Sequence, residues 1–210
     1  RGVRIIEDTL VTDILYDGNR ACGVRTPDGE ITAEVVVLCP GMWGREVGLM
    51  AGVDLPLQAA EHYYLISESI EGLHKELPIL RDPGRAAYAR EEAGKLMLGF
   101  FEPVAAPWGG DGISENFCFD EIQPDWERME PYIERGMERL PILMDTGIRQ
   151  FFCGPESFTP DHNYLMGRAP FKRNLFVACG FNSLGILSGG GAGYVMAHWI
   201  NDGIQPMDIW

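Results

Sequence analysis

Asn174 to Gly203, reading NLFVACGFNSLGILSGGGAGYVMAHWINDG, is the stretch that most restricts how this chain can fold. Leu175 to Cys179 is a short, continuous apolar run, the pattern of a strand buried on both faces. Gly180 ends it and Phe181 to Gly185 forms a turn. The spacing of Tyr194, Val195, His198 and Trp199 then predicts a helix over about Ile186 to Asn201, stopped by Gly203. Its first turns read Ser188-Gly189-Gly190-Gly191-Ala192-Gly193. A helical glycine costs roughly 0.8–1 kcal/mol relative to alanine. Something has to offset that cost, either a planar ligand or a second element that needs bare backbone close by. A helix N-terminus also presents unpaired N–H groups and partial positive charge, which suit an anion or a developing negative charge. No Lys-Ser/Thr follows the glycines, so this is not a phosphate-cradling P-loop. On the residues alone, ligand and close packing remain equal explanations.

The rest of the chain alternates between sheet-like and helical stretches. Leu10 to Ile14 reads as a strand, Asp17-Gly18-Asn19 as a hairpin turn and Ala21 to Arg25 as the returning strand. Pro27-Asp28-Gly29 turns the chain into Glu30 to Ala33. Val35 to Cys39 is a buried strand, and Pro40-Gly41-Met42-Trp43-Gly44 leads into a short helix ending near Gly52. A strand feeding a glycine turn and a helix is where α/β sheets place ligands. From Leu55 the pattern becomes antiparallel: Leu57 to Ile66, Leu77 to Arg81, Ala86 to Glu91 and Leu96 to Phe100 read as strands. Asp82-Pro83-Gly84 and Glu92-Ala93-Gly94 supply turns. Pro103 to Asp120 is loop-rich, with Pro107 to Gly110 expected to be mobile or lid-like. Met129, Tyr132, Ile133, Met137 and Leu140 make Trp126 to Leu140 an amphipathic helix whose stripe is core. Arg149 to Phe152 is a returning strand, and Gly154 to Asp161 (GPESFTPD) a turn-rich loop.

Composition narrows the classes of partner. A formal net charge of −14 argues against nucleic acid and anionic membranes. No apolar run approaches the roughly 20 residues of a transmembrane helix, and no cationic, apolar leader opens the chain. Cys22, Cys39, Cys118, Cys153 and Cys179 are scattered and form no CxxC pair, which reads as reduced thiols in a cytosolic or organelle-matrix protein. His62, His74, His162 and His198 lack metal-ligand spacing, so no metal site is expected. The chain begins at Arg1, inside a β-rich pattern, and reads as a piece of a larger protein.

GFNSLGILSGGGAG, with GPESFTPD upstream and DGIQPMDIW downstream, resembles the flavin-contacting end of the sarcosine and dimethylglycine dehydrogenase/oxidase family, within the D-amino-acid-oxidase-like FAD enzymes. The similarity runs over nearly the whole chain, with the motifs in the family's order. It implies an α/β (α+β) fold: part of an FAD/NAD(P)-binding Rossmann-like domain over residues 1–54 and 149–210, with an antiparallel-sheet substrate domain over 55–148. The implied cofactor is FAD. The implied reaction is oxidative demethylation of an N-methylated amino acid such as dimethylglycine or sarcosine, with oxygen or an electron-transfer flavoprotein as acceptor. The implied location is a bacterial cytoplasm or a mitochondrial matrix. Glu61-His62-Tyr63-Tyr64 matches the strand carrying an active-site histidine, and Leu77 to Arg81 aligns Tyr88 with an active-site tyrosine.

By the same resemblance Val11, Gly41, Met42, Trp43, Tyr88, Leu184, Gly185, Ile186 and Leu187 contact the cofactor, and the turn at Gly185 faces the flavin edge where negative charge develops. Gly185 is expected to hold a φ that valine resists. The family's GxGxxG fingerprint and flavin-linked histidine would precede Arg1, and its tetrahydrofolate module would follow the chain's end. A substrate carboxylate needs a cation, and neither Arg81 nor Arg90 stands out from sequence. Two other readings stay open: a glycine- or D-amino-acid-oxidase-like enzyme acting on another amine, and a non-catalytic FAD-binding fragment.

Overall fold

The computed structural model describes residues 2–114 and 116–208. Ile209 and Trp210, the last two residues of the DGIQPMDIW motif, lie outside them. The chain forms two compact units, Arg1–Gln58 with Ser157–Trp210, and Ala59–Glu156.

The first unit holds two small sheets. β1 (Asp13–Asp17), β2 (Arg20–Thr26) and β3 (Gly29–Thr32) form an antiparallel meander. Its first strand begins three residues later than the expected Leu10, and Gly18, at φ +61°, turns it into β2. β4 (Val36–Leu38) runs parallel to β11 (Leu175–Cys179), and β10 (Leu165–Arg168) pairs antiparallel on the far side of β11. β11 is the central strand, which is why its apolar run is almost uninterrupted: both faces are covered. A 3₁₀ turn at Gly41–Trp43 and α1 (Gly44–Met50) follow β4, and α3 (Gly185–Asp202) follows β11. Ile14, Ala21, Leu38, Val53, Leu57, Leu175 and Val177 lie in one core. β10 has no counterpart in the sequence reading. Gly167, at φ +145° against the Trp199 ring, breaks the alternation that would have marked it.

The second unit is a five-stranded sheet in the order β6-β7-β8-β5-β9. Its strands are β5 (Gln58–Ser67), β6 (Leu80–Asp82), β7 (Ala87–Glu92), β8 (Lys95–Phe100) and β9 (Ile148–Phe158). One face buries Tyr63, Leu65, Leu98, Phe100, Phe151 and Cys153 against Met129 and Ile133 of α2 (Trp126–Arg139). Gly136 lets α2 approach closely, because a Cβ there would meet the Leu98 side chain. Asp125 caps α2 by accepting from the Arg128 N–H at 3.0 Å.

Three expectations are corrected here. β6 does not begin at Leu77, and Pro78, which has no N–H for a ladder, precedes its start. GPESFTPD is not a loop from its first residue: β9 continues through Phe158, with Pro155 tolerated because β9 is an edge strand. The second compact unit runs from Ala59 to Glu156. Pro107 to Gly110 is not a free lid at its start. Glu61 N–H donates to Ala106 O at 2.9 Å, Trp108 N–H donates to Ala59 O at 2.8 Å, and the Trp108 ring packs on Phe117.

Candidate functional site

Alternation along a strand sends neighbouring side chains to opposite faces. On β5, Tyr63 and Leu65 enter the core beneath α2, so His62 and Tyr64 stand on the other face. Register carries this across the sheet: Arg81 pairs with Tyr88, Tyr88 with Gly99 and Gly99 with Tyr64. Cross-strand partners share a face. This face of the second unit therefore collects Arg81, Tyr88, His62 and Tyr64 from three strands, although 26 positions separate His62 from Tyr88.

The Tyr88 hydroxyl lies 3.5 Å from His62 Nε2. Glu156 Oε2, at the end of this unit, lies 3.6 Å from His62 Nδ1. One imidazole nitrogen thus faces a carboxylate and the other a phenol. Phe101 forms the floor, its ring centroid 5.2 Å from those of both His62 and Tyr88. Burial first, and then the Glu156 carboxylate, push the Tyr88 hydroxyl above the ordinary phenol value, against the opposing pull of Arg90. Tyr88 is accordingly a neutral hydroxyl at physiological pH.

Two residues of this constellation escaped the sequence reading. Glu156 looked like part of a turn. Gly99 looked like an ordinary strand glycine, yet a Cβ on it would overlap Cζ and the hydroxyl of Tyr88. The tyrosine ring lies flat across β8 over bare backbone, and this lets it reach from β7 toward β5. A glycine in a strand interior, which weakens the strand unless something approaches closely, was the available signal.

The reverse side of β5 anchors the strand. Glu61 accepts from Arg128 of α2 and, at 2.6 Å, from the Tyr63 hydroxyl, while Arg128 Nη1 donates to the buried Glu102 at 3.2 Å. His62 therefore sits on a segment held by charge-assisted bonds immediately before it and by a packed aromatic immediately after it.

The cofactor residues implied by resemblance fall mostly in the first unit, at the ends of two adjacent parallel strands. Gly41, Met42 and Trp43 follow β4, and Leu184, Gly185, Ile186 and Leu187 follow β11. Val11 stands apart in sequence, half-buried against the core before β1. Tyr88 belongs to the second unit, beside His62.

The turn before α3 is bridged by side-chain hydrogen bonds of Asn182. Asn182 donates to Gly180 O at 2.6 Å and accepts from the Thr159 N–H at 2.8 Å. The left-handed backbone is at Gly180, Asn182 and Ser183 rather than at Gly185, which corrects the expectation that Gly185 needs a special φ. α3 packs through its second half, where Val195 and Met196 are buried and the Trp199 ring meets Phe176. Its glycine-rich half is bare: a Cβ built on Gly189, Gly190, Gly191 or Gly193 has nothing within 4 Å among the described residues. Leu184 gives the helix no side-chain cap, and Ile186 and Leu187 are 103% and 83% exposed. Open backbone, uncapped N–H groups and an apolar rim fit a planar, electron-accepting ring system. Close packing within the described residues does not explain the glycines. No group of His, Cys, Asp and Glu among the described residues has the arrangement of a metal site, and no described helix is long and apolar enough to cross a membrane.

Known proteins place this architecture. Human sarcosine dehydrogenase, a mitochondrial protein, is 42% identical over 100% of this chain, which covers 23% of that protein. The 4-methylaminobutanoate oxidase (formaldehyde-forming) of Paenarthrobacter nicotinovorans is 39% identical over 99% of the chain and 25% of its own length. The chain thus spans about a quarter of the length of these curated relatives. Among solved structures, L-proline dehydrogenase from P. horikoshii superposes with a TM-score of 0.84 over 99% of this chain and 53% of its own, at 22% identity, which shows a shared fold. The family model for FAD dependent oxidoreductases (DAO) matches residues 1–199, so the chain belongs to that family.

Proposed function

We propose that the protein to which this chain belongs oxidises an N-methylated amino acid, dimethylglycine or sarcosine, at the carbon–nitrogen bond. The observation that carries the reading is the Glu156–His62–Tyr88 constellation over Phe101, set in a chain of this family. The names of the relatives, a sarcosine dehydrogenase and a methylaminobutanoate oxidase, point to the same substrate class. In this reading the first unit holds FAD through Val11, Gly41, Met42, Trp43, Leu184, Gly185, Ile186 and Leu187. The second unit holds the amine. When bound, FAD supplies the two-electron acceptor for the C–H bond beside the nitrogen.

The chain's own residues prepare the amine. An ammonium has no lone pair and resists oxidation, so its proton must leave first. His62 takes that proton, and Glu156 faces the imidazole nitrogen opposite Tyr88 and stabilises the cation that results. The neutral Tyr88 hydroxyl orients the nitrogen from an otherwise aromatic wall, with Phe101 and Tyr64 excluding water from that side. Water then hydrolyses the oxidised carbon–nitrogen bond, which releases the methyl carbon as formaldehyde and leaves the demethylated amine. Oxygen or an electron-transfer flavoprotein takes up the electrons, a tetrahydrofolate module in the longer chain captures the one-carbon unit, and the protein works in a bacterial cytoplasm or a mitochondrial matrix.

The test is anaerobic flavin reduction in the full-length protein, with sarcosine, dimethylglycine, glycine and D-alanine compared. His62→Ala should slow reduction by about 10²–10⁴-fold, the range of an acid–base contribution, and leave the oxidised spectrum in place. Faster bleaching by glycine or D-alanine than by either N-methyl amine would move the protein to primary amines. A His62→Ala enzyme with an unaltered rate across pH 6 to 9 would return that residue to a structural role.

A further inference from the structure

The face that carries His62 and Tyr88 continues along β5 and β9 to a second aromatic pair that takes no part in moving the proton. The Tyr64 ring stacks on Phe152 of β9, with centroids 4.7 Å apart and planes 25° from parallel. Both side chains are half-buried, so the pair borders open space instead of filling a core. The neighbouring Phe151 does the opposite and is buried against Tyr63 on the far face. Phe152 also lies low. A Cβ on Gly154 would stand 2.7 Å from its Cε1 and 3.0 Å from its Cζ, so the ring runs along its own strand over bare backbone, toward Glu156. Burial first, and then Glu121, push the Tyr64 hydroxyl above the ordinary phenol value against the pull of Arg90, so neither ring is charged near neutrality.

We infer that Phe152, together with Tyr64, forms the wall that limits the alkyl group on the substrate nitrogen to a methyl; this rests on the amine-oxidising reading above. Same-face neighbours along a strand stand about 6.4–6.8 Å apart. Tyr64 is one such step from His62 on β5, and the Phe152 ring covers the position one such step from Glu156 on β9. Carbon atoms in contact settle at about 3.5–4.0 Å. Two contacts therefore fill the step, which admits a group one methyl thick. A nitrogen hydrogen-bonded to His62 turns its alkyl group into that gap. An uncharged aromatic wall takes an alkyl group and not a carboxylate, whose lost hydration it could not replace. An N-ethyl group carries one carbon too many and has to displace the Phe152 ring from Tyr64.

The experiment uses the full-length protein and three substrates. Sarcosine is compared with N-ethylglycine, one methylene larger on nitrogen, and with N-methyl-β-alanine, one methylene longer in the acid arm. Wild type should prefer sarcosine to N-ethylglycine by about 10–200-fold in kcat/KM, the range for one methylene in a fitted apolar pocket. Phe152→Ala should bring these two within about threefold of each other and leave the discrimination against N-methyl-β-alanine in place. Phe152→Leu keeps most of the volume and should fall between, and it carries the test if the alanine variant does not fold. A purely structural role would lower all three substrates together. Equal use of sarcosine and N-ethylglycine by wild type, an unchanged preference in the variants, or a relaxation toward the longer acid arm would overturn the assignment. Methoxyacetate and ethoxyacetate, ethers with no amine to oxidise, separate this inference from the reaction itself. By titration calorimetry wild type should bind the methyl ether about 10-fold more tightly than the ethyl ether, and Phe152→Ala should bind both within about threefold, even if no amine is oxidised. Equal binding of the two ethers to wild type, binding of neither, or the same preference in Phe152→Ala overturns the role of Phe152.

Discussion

Gly99→Ala is the sharpest probe of how the site is assembled, since it adds one methyl group and leaves both His62 and Tyr88 chemically unchanged. Its Cβ would overlap the Tyr88 ring. Carbon atoms settle at about 3.5–4.0 Å, so the ring must retreat by on the order of 1–2 Å. The hydroxyl is already 3.5 Å from His62 Nε2, and that retreat takes it beyond hydrogen-bonding reach. Misplacement by about 1 Å can cost 10²-fold in rate, whereas overpacking by one methyl costs about 1–3 kcal/mol of stability. Stopped-flow flavin reduction with saturating dimethylglycine, on full-length protein of verified fold, should therefore show a rate about 10²-fold below wild type. A double-mutant cycle isolates the cause: in a Tyr88→Ala background the glycine substitution should add almost nothing, because the ring it displaces is gone. An unchanged rate in the single mutant, or an equal further loss in the Tyr88→Ala background, would refute the reasoning.

Two further outcomes follow from the same geometry. A Cβ on Gly185 meets only the Cβ of Phe181, at 3.7 Å, so Gly185→Val should fold normally; full-length protein that then retains flavin less tightly, or at a lower potential, reports contact with the cofactor. Gly203→Ala, at a left-handed position at the far end of α3, should change stability alone, and an unchanged flavin in Gly185→Val would detach this helix from the cofactor. Burial raises Cys153 to about 11 and Cys179 to about 12, above the ordinary thiol value. The folded state holds these protons more tightly than the unfolded one. Stability is thus intact below pH 9 and falls as pH climbs toward 11, by about 1.4 kcal/mol per thiol per pH unit. Thermal midpoints between pH 8 and 10.5 should fall less steeply in Cys153→Ala than in wild type, and parallel curves would contradict it.

Much was legible along the chain wherever one local rule governed. Leu175 to Cys179 announced a doubly covered strand because a strand buried on both faces has no solvent side for polar residues, and the structure places it between β10 and β4. Met129 and Ile133 marked the buried face of α2 because helical period and burial coincide there. Resemblance and motif order pointed to the FAD dependent oxidoreductase family before any contact was known. His62 and Tyr88 could be named singly from matching segments, but their meeting could not.

That meeting depends on register. Tyr88 reaches His62 only because Gly99 happens to lie between β7 and β5, and a one-residue slip would have turned both side chains into the core. Glu156 joins them only because β9 runs on as an edge strand instead of turning at Gly154. Local sequence determined which segments become strands and helices, since backbone sterics and burial period act over a few residues. Which of their side chains meet, and on which face, was decided by pairings between distant segments, and these exist only once the sheet has formed.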